Sequence, residues 1–318
     1  MWIQILLLIA GLALVVFGAD YLVDGASSVA RRFGLSEFII GLTIVGMGTS
    51  APEMVVSFIG AAEGNSDISI GNIVGSNIFN TLLILGLTAL ILPIPISAQN
   101  KRKDVPVNII ITLLLIVLGL EQTLLGFGTD GLSRVDGAIL FAIFIGYIWN
   151  SLRQKDSQAD TQPQEKERKI WLSVLFILGG LAALIFGGQL FVDSAVNIAH
   201  SVGVSDKFIA ITILAGGTSM PELATCIAAA VKKKGQLALG NIIGSNIFNV
   251  LLILGGSAII RPLSFAGIAY VDLAILIVSA LALLTACFVG KKDQIDRLDG
   301  VFFLLIFAAY MTWLILSI

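Results

Sequence analysis

The chain reads as an all-α polytopic membrane protein of ten transmembrane helices, arranged as two inverted five-helix repeats. Three observations predict that fold: an apolar composition, a duplication at a fixed offset, and an odd number of apolar stretches in each copy. Hydrophobic residues occupy 57% of the 318 positions and charged residues 13%, against about 45–50% and ~25% in a soluble domain. The charges are clustered, and the runs between them are about 20 residues long, enough to cross a bilayer core of roughly 30 Å.

Apolar stretches fall at 3–24, 37–62, 68–92, 105–121 and 134–150, and again at 170–192, 206–231, 237–260, 268–290 and 299–318. The second set repeats the first at an offset of 169. GNIVGSNIFNTLLILG (71–86) matches GNIIGSNIFNVLLILG (240–255) at 14 of 16 positions, and GTSAPE (48–53) matches GTSMPE (217–222). Phe17 and Asp24 match Phe186 and Asp193; near the end the offset falls to 163, where RVDG (134–137) matches RLDG (297–300). Self-similarity of this kind marks an internal repeat. The halves are 1–149 and 170–318. Between them, 150–169 is polar and without apolar periodicity, the pattern of a cytoplasmic linker.

Five crossings per half leave the second half starting on the opposite side of the membrane, so the halves must be inverted. The basic residues test this independently. With the N-terminus outside, the inner connections hold Arg31, Arg32, Lys101, Arg102, Lys103, Arg153, Lys155, Lys166, Arg168, Lys169, Lys232, Lys233, Lys234, Lys291, Lys292 and Arg297. The outer ones hold Arg134, Lys207 and Arg261, a ratio of sixteen to three that follows the positive-inside rule. Both termini are expected outside, in the inner membrane of a prokaryotic cell. The first segment lacks the basic n-region of a signal peptide and recurs inside the chain from Ile170, so no cleaved leader is expected.

Other features read plainly. A net charge of −2 offers no electrostatic footprint for nucleic acid. Cys226 and Cys287 sit in apolar sequence and read as small hydrophobes, and His200 as a solvated residue near a helix end. Asp24 and Asp193 lie near span ends as interfacial caps, and Glu63 and Asp67 form a solvated pair in an outer loop.

The chemistry gathers at two glutamates, Glu53 and Glu222, in the duplicated GTSxPE motif. An ionisable group at membrane depth is costly and marks function by default. Pro52 and Pro221 each lack an N–H and crowd the carbonyl four residues earlier, so each helix should break and release carbonyls around Gly46–Thr49 and Ala215–Thr218. Such a backbone is tolerated where it lines a wet cavity or is buried. Freed carbonyls, hydroxyls of Thr49, Ser50, Thr218 and Ser219, and one carboxylate per half are all oxygen donors, as hard cations require; no His or Cys cluster invites zinc or copper. In the second motif Ser76 and Asn80, like Ser245 and Asn249, lie four apart on one helical face. Asn72 and Asn241 extend each stripe, and paired glycines allow close helix approach.

The paired motifs, each inside a five-helix half, resemble the alpha-repeats of the cation/calcium exchanger superfamily, in its prokaryotic sodium/calcium exchanger branch. That resemblance implies an antiporter working by alternating access, with Ca2+ and about three Na+ competing for one central site and the spans at 3–24 and 170–192 sliding as gates. It implies Ca2+ held by Glu53, Glu222 and the carbonyls of Thr49 and Thr218. It further implies Na+ held by Ser50, Ser76 and the Gly46 backbone in one half and by Ser219, Ser245 and the Ala215 backbone in the other, with Asn80 and Asn249 facing the middle. Many relatives carry Asp where this chain has Asn249; two carboxylates balance one Ca2+, whereas three Na+ leave the site at +1, so both three and two Na+ per cycle stay open. Proton-coupled exchange fits less well, because the G-N-x-x-E signature is absent, and potassium-dependent exchange less well because of Asn249. An intramembrane hydrolase would need a cationic or imidazole group beside the carboxylates, and neither motif has one. The expected partners are Ca2+, Na+ and the bilayer, with no cofactor and no protein partner, so a monomer.

Overall fold

The computed structural model describes residues 2–126, 128–153, 169–201, 215–289 and 293–317. It is helical almost throughout. We label the main helices α1 (Trp2–Phe33), α2 (Glu37–Thr49), α3 (Ala51–Glu63), α4 (Ser66–Ile91), α5 (Val105–Gly119), α6 (Arg134–Arg153), α7 (Ile170–Ser201), α8 (Met220–Val231), α9 (Gly235–Ile260), α10 (Tyr270–Phe288) and α11 (Arg297–Leu316).

Among the described residues, seven of these helices are long and apolar enough to cross a membrane, or eight if the bent pair α2 and α3 counts as one span. The expected span at 105–121 is observed as the 15-residue α5, about 22 Å of helix. A wider π-helical turn, Asn100–Asp104, continues it backwards and carries Lys101, Arg102 and Lys103. Of the span at 206–231, the turn Ala215–Gly217 and α8 are described, and 206–214 lie outside the described residues. So do Lys207, most of the 150–169 linker, and Lys291 and Lys292.

Three boundaries need correction. The spans expected at 3–24 and 170–192 are 32-residue helices that continue to Phe33 and Ser201. Apolar periodicity stops at Asp24 and Asp193, but the helices run on, since polar residues there find partners such as the Ser173–Ser28 hydroxyl pair at 2.8 Å. Asp24 and Asp193 therefore lie two turns or more inside helices, and exposed His200 sits on a last helical turn. Likewise α6 reaches Arg153, past the expected linker start.

The repeat-equivalent helices α1 and α7 pack against each other over most of their length, running antiparallel. A Cβ added to Gly11, Gly18 or Gly25 would lie 2.8 Å from the carbonyl of Gly187, Gly180 or Ser173 respectively. The spacing of seven on both helices keeps one small-residue seam facing the other, and close backbone approach is what holds helices together in lipid.

The interior is built by α4 and α9, with 72% and 94% of their apolar windows buried, against 11% for α11. Each half reaches into the other. Helix α6 packs on α9 and α11 on α4, and two short antiparallel bridges repeat the exchange, Ile94–Pro95 with Gln294–Ile295 and Gly131–Leu132 with Leu263–Ser264.

Candidate functional site

The chain direction changes by 48° between α2 and α3. The hinge is Ser50, with φ −79° and ψ 9°; its equivalent Ser219 has φ −86° and ψ 9°. Pro52 and Pro221 follow in the first turn of α3 and α8, where the missing N–H costs nothing. The break therefore delivers Glu53 and Glu222 to helix N-terminal turns, where the positive end of the helix dipole favours carboxylate charge. Both side chains are buried, Glu53 at 1% and Glu222 at 0% exposure.

The two carboxylates are held in matching ways. Glu222 Oε1 accepts from Ser50 Oγ at 3.0 Å and Ser245 Oγ at 3.4 Å. Glu53 Oε1 accepts from Ser219 Oγ at 3.1 Å and Ser76 Oγ at 3.5 Å. Each glutamate is thus held by one serine of its own half and one of the other. Ser219 and Ser76 also touch, at 3.4 Å. The threonines cross over too: Thr49 Oγ1 donates to Asn241 Oδ1 at 3.1 Å, and Thr218 Oγ1 to Asn72 Oδ1 at 3.5 Å. Asn72 Nδ2 ties this brace to Ser57 Oγ (3.0 Å) and the Glu53 carbonyl (3.2 Å), while Asn241 Nδ2 meets Cys226 Sγ (3.3 Å).

Ser50 is bonded to the Glu222 of the other half, and the Gly46 carbonyl lies 3.3 Å from Ser245 Oγ, which can turn its one proton to either acceptor. That carbonyl is not released by the proline, because Ser50 N donates to it at 3.2 Å. The proline acts four residues back, at Gly48, and leaves the Gly46 bond intact. Ala215 begins the short helical turn Ala215–Gly217.

Asparagines close the centre. Asn80 Nδ2 donates to Asn246 Oδ1 (3.3 Å), and Asn249 Nδ2 to Asn77 Oδ1 (2.9 Å); Asn246 Nδ2 goes on to Thr81 Oγ1 (2.8 Å) and Asn77 Nδ2 to the Asn246 carbonyl (3.2 Å). Asn80 and Asn249 lie in π-helical turns, Phe79–Ile84 and Asn249–Leu254, a local widening frequent at functional sites. Asn77 and Asn246 were not singled out as site residues from the sequence, yet each is an amide in apolar sequence repeated at the offset of 169, which is the signal that would have found them.

Among the buried side-chain oxygens that find no hydrogen-bond partner, four are acceptor-only atoms of this centre: Glu53 Oε2, Glu222 Oε2, Asn80 Oδ1 and Asn249 Oδ1. They form two repeat-related pairs, and all are acceptors. A buried acceptor without a donor costs about 1–3 kcal/mol, more when charged, and a bound cation is one ligand that satisfies it. A cavity of about 380 Å3 approaches from one side, lined by Pro52, Val56, Gln189, Asp193, Thr218 and Pro221 among others.

The family model described as sodium/calcium exchanger protein matches residues 3–153 and 172–316. The inner membrane protein YrbG of Escherichia coli is 36% identical over 321 residues, covering 97% of this chain and 94% of that one. The sodium/calcium exchanger MaX1 of Methanosarcina acetivorans is 31% identical, covering 97% of both chains. Among solved structures, the sodium-calcium exchanger NCX_Mj, soaked with 2.5 mM Na+ and 10 mM Sr2+, superposes with a TM-score of 0.84 at 32% identity, over 98% of each chain.

Proposed function

We propose a site and a topology for a chain that belongs to the sodium/calcium exchanger protein family. The protein is an antiporter that exchanges Na+ for Ca2+ across a membrane, and it is not an enzyme. Both ions are substrates, and no cofactor is indicated.

Glu53 and Glu222 chelate Ca2+ through their Oε2 atoms, with Asn80 Oδ1, Asn249 Oδ1 and the carbonyls of Thr49 and Thr218 filling the shell. The single observation that carries this is the set of four donorless oxygens, arranged as two repeat-related pairs. Ca2+ asks for six to eight oxygens, and its charge of +2 matches two carboxylates. Na+ takes the hydroxyl positions on either side. The cross-half hydrogen bonds support sites built around Glu222 by Ser50, Ser245 and the Gly46 carbonyl, and around Glu53 by Ser219, Ser76 and the Ala215 backbone. Because both ions need the same carboxylates, filling with one expels the other.

The chain crosses the inner membrane of a prokaryotic cell ten times as a monomer, in two inverted halves, 1–149 and 170–318, joined by a cytoplasmic linker at 150–169. Antiparallel packing of the equivalent helices α1 and α7 supports the inversion. The lysine and arginine distribution supports N- and C-termini outside.

Two experiments test the reading. Proteoliposomes loaded with Na+ should take up radiolabelled Ca2+ only while the Na+ gradient lasts, and valinomycin with K+ separates electrogenic from neutral exchange. Anomalous diffraction from Sr2+-soaked crystals should place a peak among Glu53, Glu222, Asn80 and Asn249. A peak elsewhere rejects the assignment.

A further inference from the structure

At the end of α8, Lys232 Nζ lies 2.7 Å from Asp20 Oδ1 and 2.5 Å from Asp24 Oδ1, and donates to the Asp20 carbonyl at 3.0 Å. The aspartates are one turn apart on α1, so one cation pins α1 against α8. Lys232 and Asp24 are part-buried, with 23% and 26% of their side chains exposed, while Asp20 is exposed at 52%. Two residues on, Lys234 Nζ stands 4.0 Å from Glu37 Oε1, at the start of α2.

The repeat shows what the other side lacks. At the offset of 169, Asp20 and Asp24 correspond to Gln189 and Asp193 on α7, and Lys232 corresponds to Glu63 at the end of α3. One turn reads Lys232-Lys233-Lys234 and the other Glu63-Gly64-Asn65. A glutamate, an aspartate and an amide at these equivalent positions can form no such bridge among themselves. Packing follows the charges: α1 lies along α8, whereas the matching pair, α7 and α3, is parted by the 380 Å3 cavity that carries Gln189 and Asp193 on its wall. The positive-inside rule accounts for lysines in this turn. It does not account for one of them being clamped between two carboxylates of the neighbouring helix.

We infer that Lys232 is a positioning residue, an ionic latch that holds α1 closed over the site on the face bearing the lysines, while the opposite path, where Glu63 stands at the equivalent position, is left to open first. The inference rests on the exchanger reading above, because it assigns the two faces to the two routes to the ion site. Breaking the latch is the step that opening toward the lysine face needs and opening toward the Glu63 face does not. The asymmetry is written into residues at equivalent positions of otherwise similar halves.

Hydrogen–deuterium exchange on the ion-free, full-length protein in nanodiscs tests it without requiring transport. Lys232→Gln should speed exchange in α1 peptides beyond residue 18 by about fivefold, the scale of a partly screened ion pair, and leave the matching α7 peptides unchanged. Lys232→Arg should behave as wild type and Lys232→Glu should exceed Lys232→Gln, an order that charge dictates and packing does not. The double variant Asp20→Asn/Asp24→Asn removes the triad from the α1 side and should reproduce Lys232→Gln. Equal exchange in the Arg, Gln and Glu variants, or an equal rise in α7, overturns the latch. Ca2+ flux on the same wild-type sample reports separately whether the exchanger reading stands.

Discussion

Glu222→Gln keeps the side-chain shape, removes one of two negative charges, and replaces one carboxylate oxygen by an NH2 donor. The Oε1 that accepts from Ser50 and Ser245 can be retained as the amide oxygen, so the fold around the hinge has no reason to change. The donorless Oε2 becomes a donor aimed at the place a cation would occupy. A +2 ion about 2.4 Å from one carboxylate oxygen gains roughly 14 kcal/mol of gross attraction at an effective dielectric of about 20. Dehydration of the ion and of the carboxylate cancels most of that. Removing one partner of a buried charge pair costs a net of roughly 3–5 kcal/mol, which lowers Ca2+ affinity by about two to four powers of ten. The ion-free protein should move the other way: with one buried like charge gone, its melting temperature rises, and the Ca2+-induced shift disappears. Calorimetric titration of Ca2+ and thermal melts in detergent read both signs, and Glu53→Gln should match because its contacts mirror those of Glu222. Either variant binding Ca2+ within about tenfold of wild type, or melting lower than wild type without ions, would refute the reasoning.

Ser50→Ala and Ser219→Ala each remove a hydroxyl that binds the glutamate of the opposite half; a charge-assisted bond is worth about 1.5–3 kcal/mol, so the Na+ concentration for half-maximal exchange should rise more than that for Ca2+, as flux titrations will show. Asn246→Ala strips partners from Asn80 and Thr81 together and should cost more stability than Thr81→Val, read as melting temperature. Gly18→Leu places a branched side chain where even a Cβ meets the Gly180 carbonyl at 2.8 Å; such overpacking costs about 1–3 kcal/mol or more, lowering the melting temperature and slowing transport. Gly179→Ala, one position away in open space, should be neutral or slightly stabilising.

The parts legible in the sequence were those encoded by residue type. Carboxylates in apolar surroundings, a proline one residue before each, and a repeat at a fixed offset predict two broken helices meeting at one acidic centre, and Glu53 and Glu222 do lie bonded across the halves. What could not be read was register. Whether Ser50 bonds its own glutamate or its twin's depends on how the halves interpenetrate, and nothing local to GTSAPE decides it. The π-helical turns at Phe79–Ile84 and Asn249–Leu254 were equally hidden, because one extra residue per turn leaves no compositional mark. The same limit explains the helix ends: hydropathy reports what faces lipid, and the last turns of α1 and α7 face protein or water.

The cross-half bonds bear on why exchange is coupled at all. Each glutamate is gripped by one hydroxyl from each half, so a change in the charge at either carboxylate is felt by both halves. With Ca2+ bound at the proposed site, two negative charges are compensated and the halves can close over a neutral centre; Na+ in place of Ca2+ likewise compensates the carboxylates. Without either ion, closing would bury both carboxylates against amides and hydroxyls alone, and the penalty for an uncompensated buried charge is several kcal/mol each. At about 1.4 kcal/mol per power of ten, even one such penalty lowers the empty occluded population by two orders of magnitude or more. An open empty state, in which water reaches the carboxylates, escapes that cost. On the proposed site, the carrier can therefore open while empty but not cross while empty. Obligatory exchange follows from the desolvation of two glutamates, with no separate interlock needed.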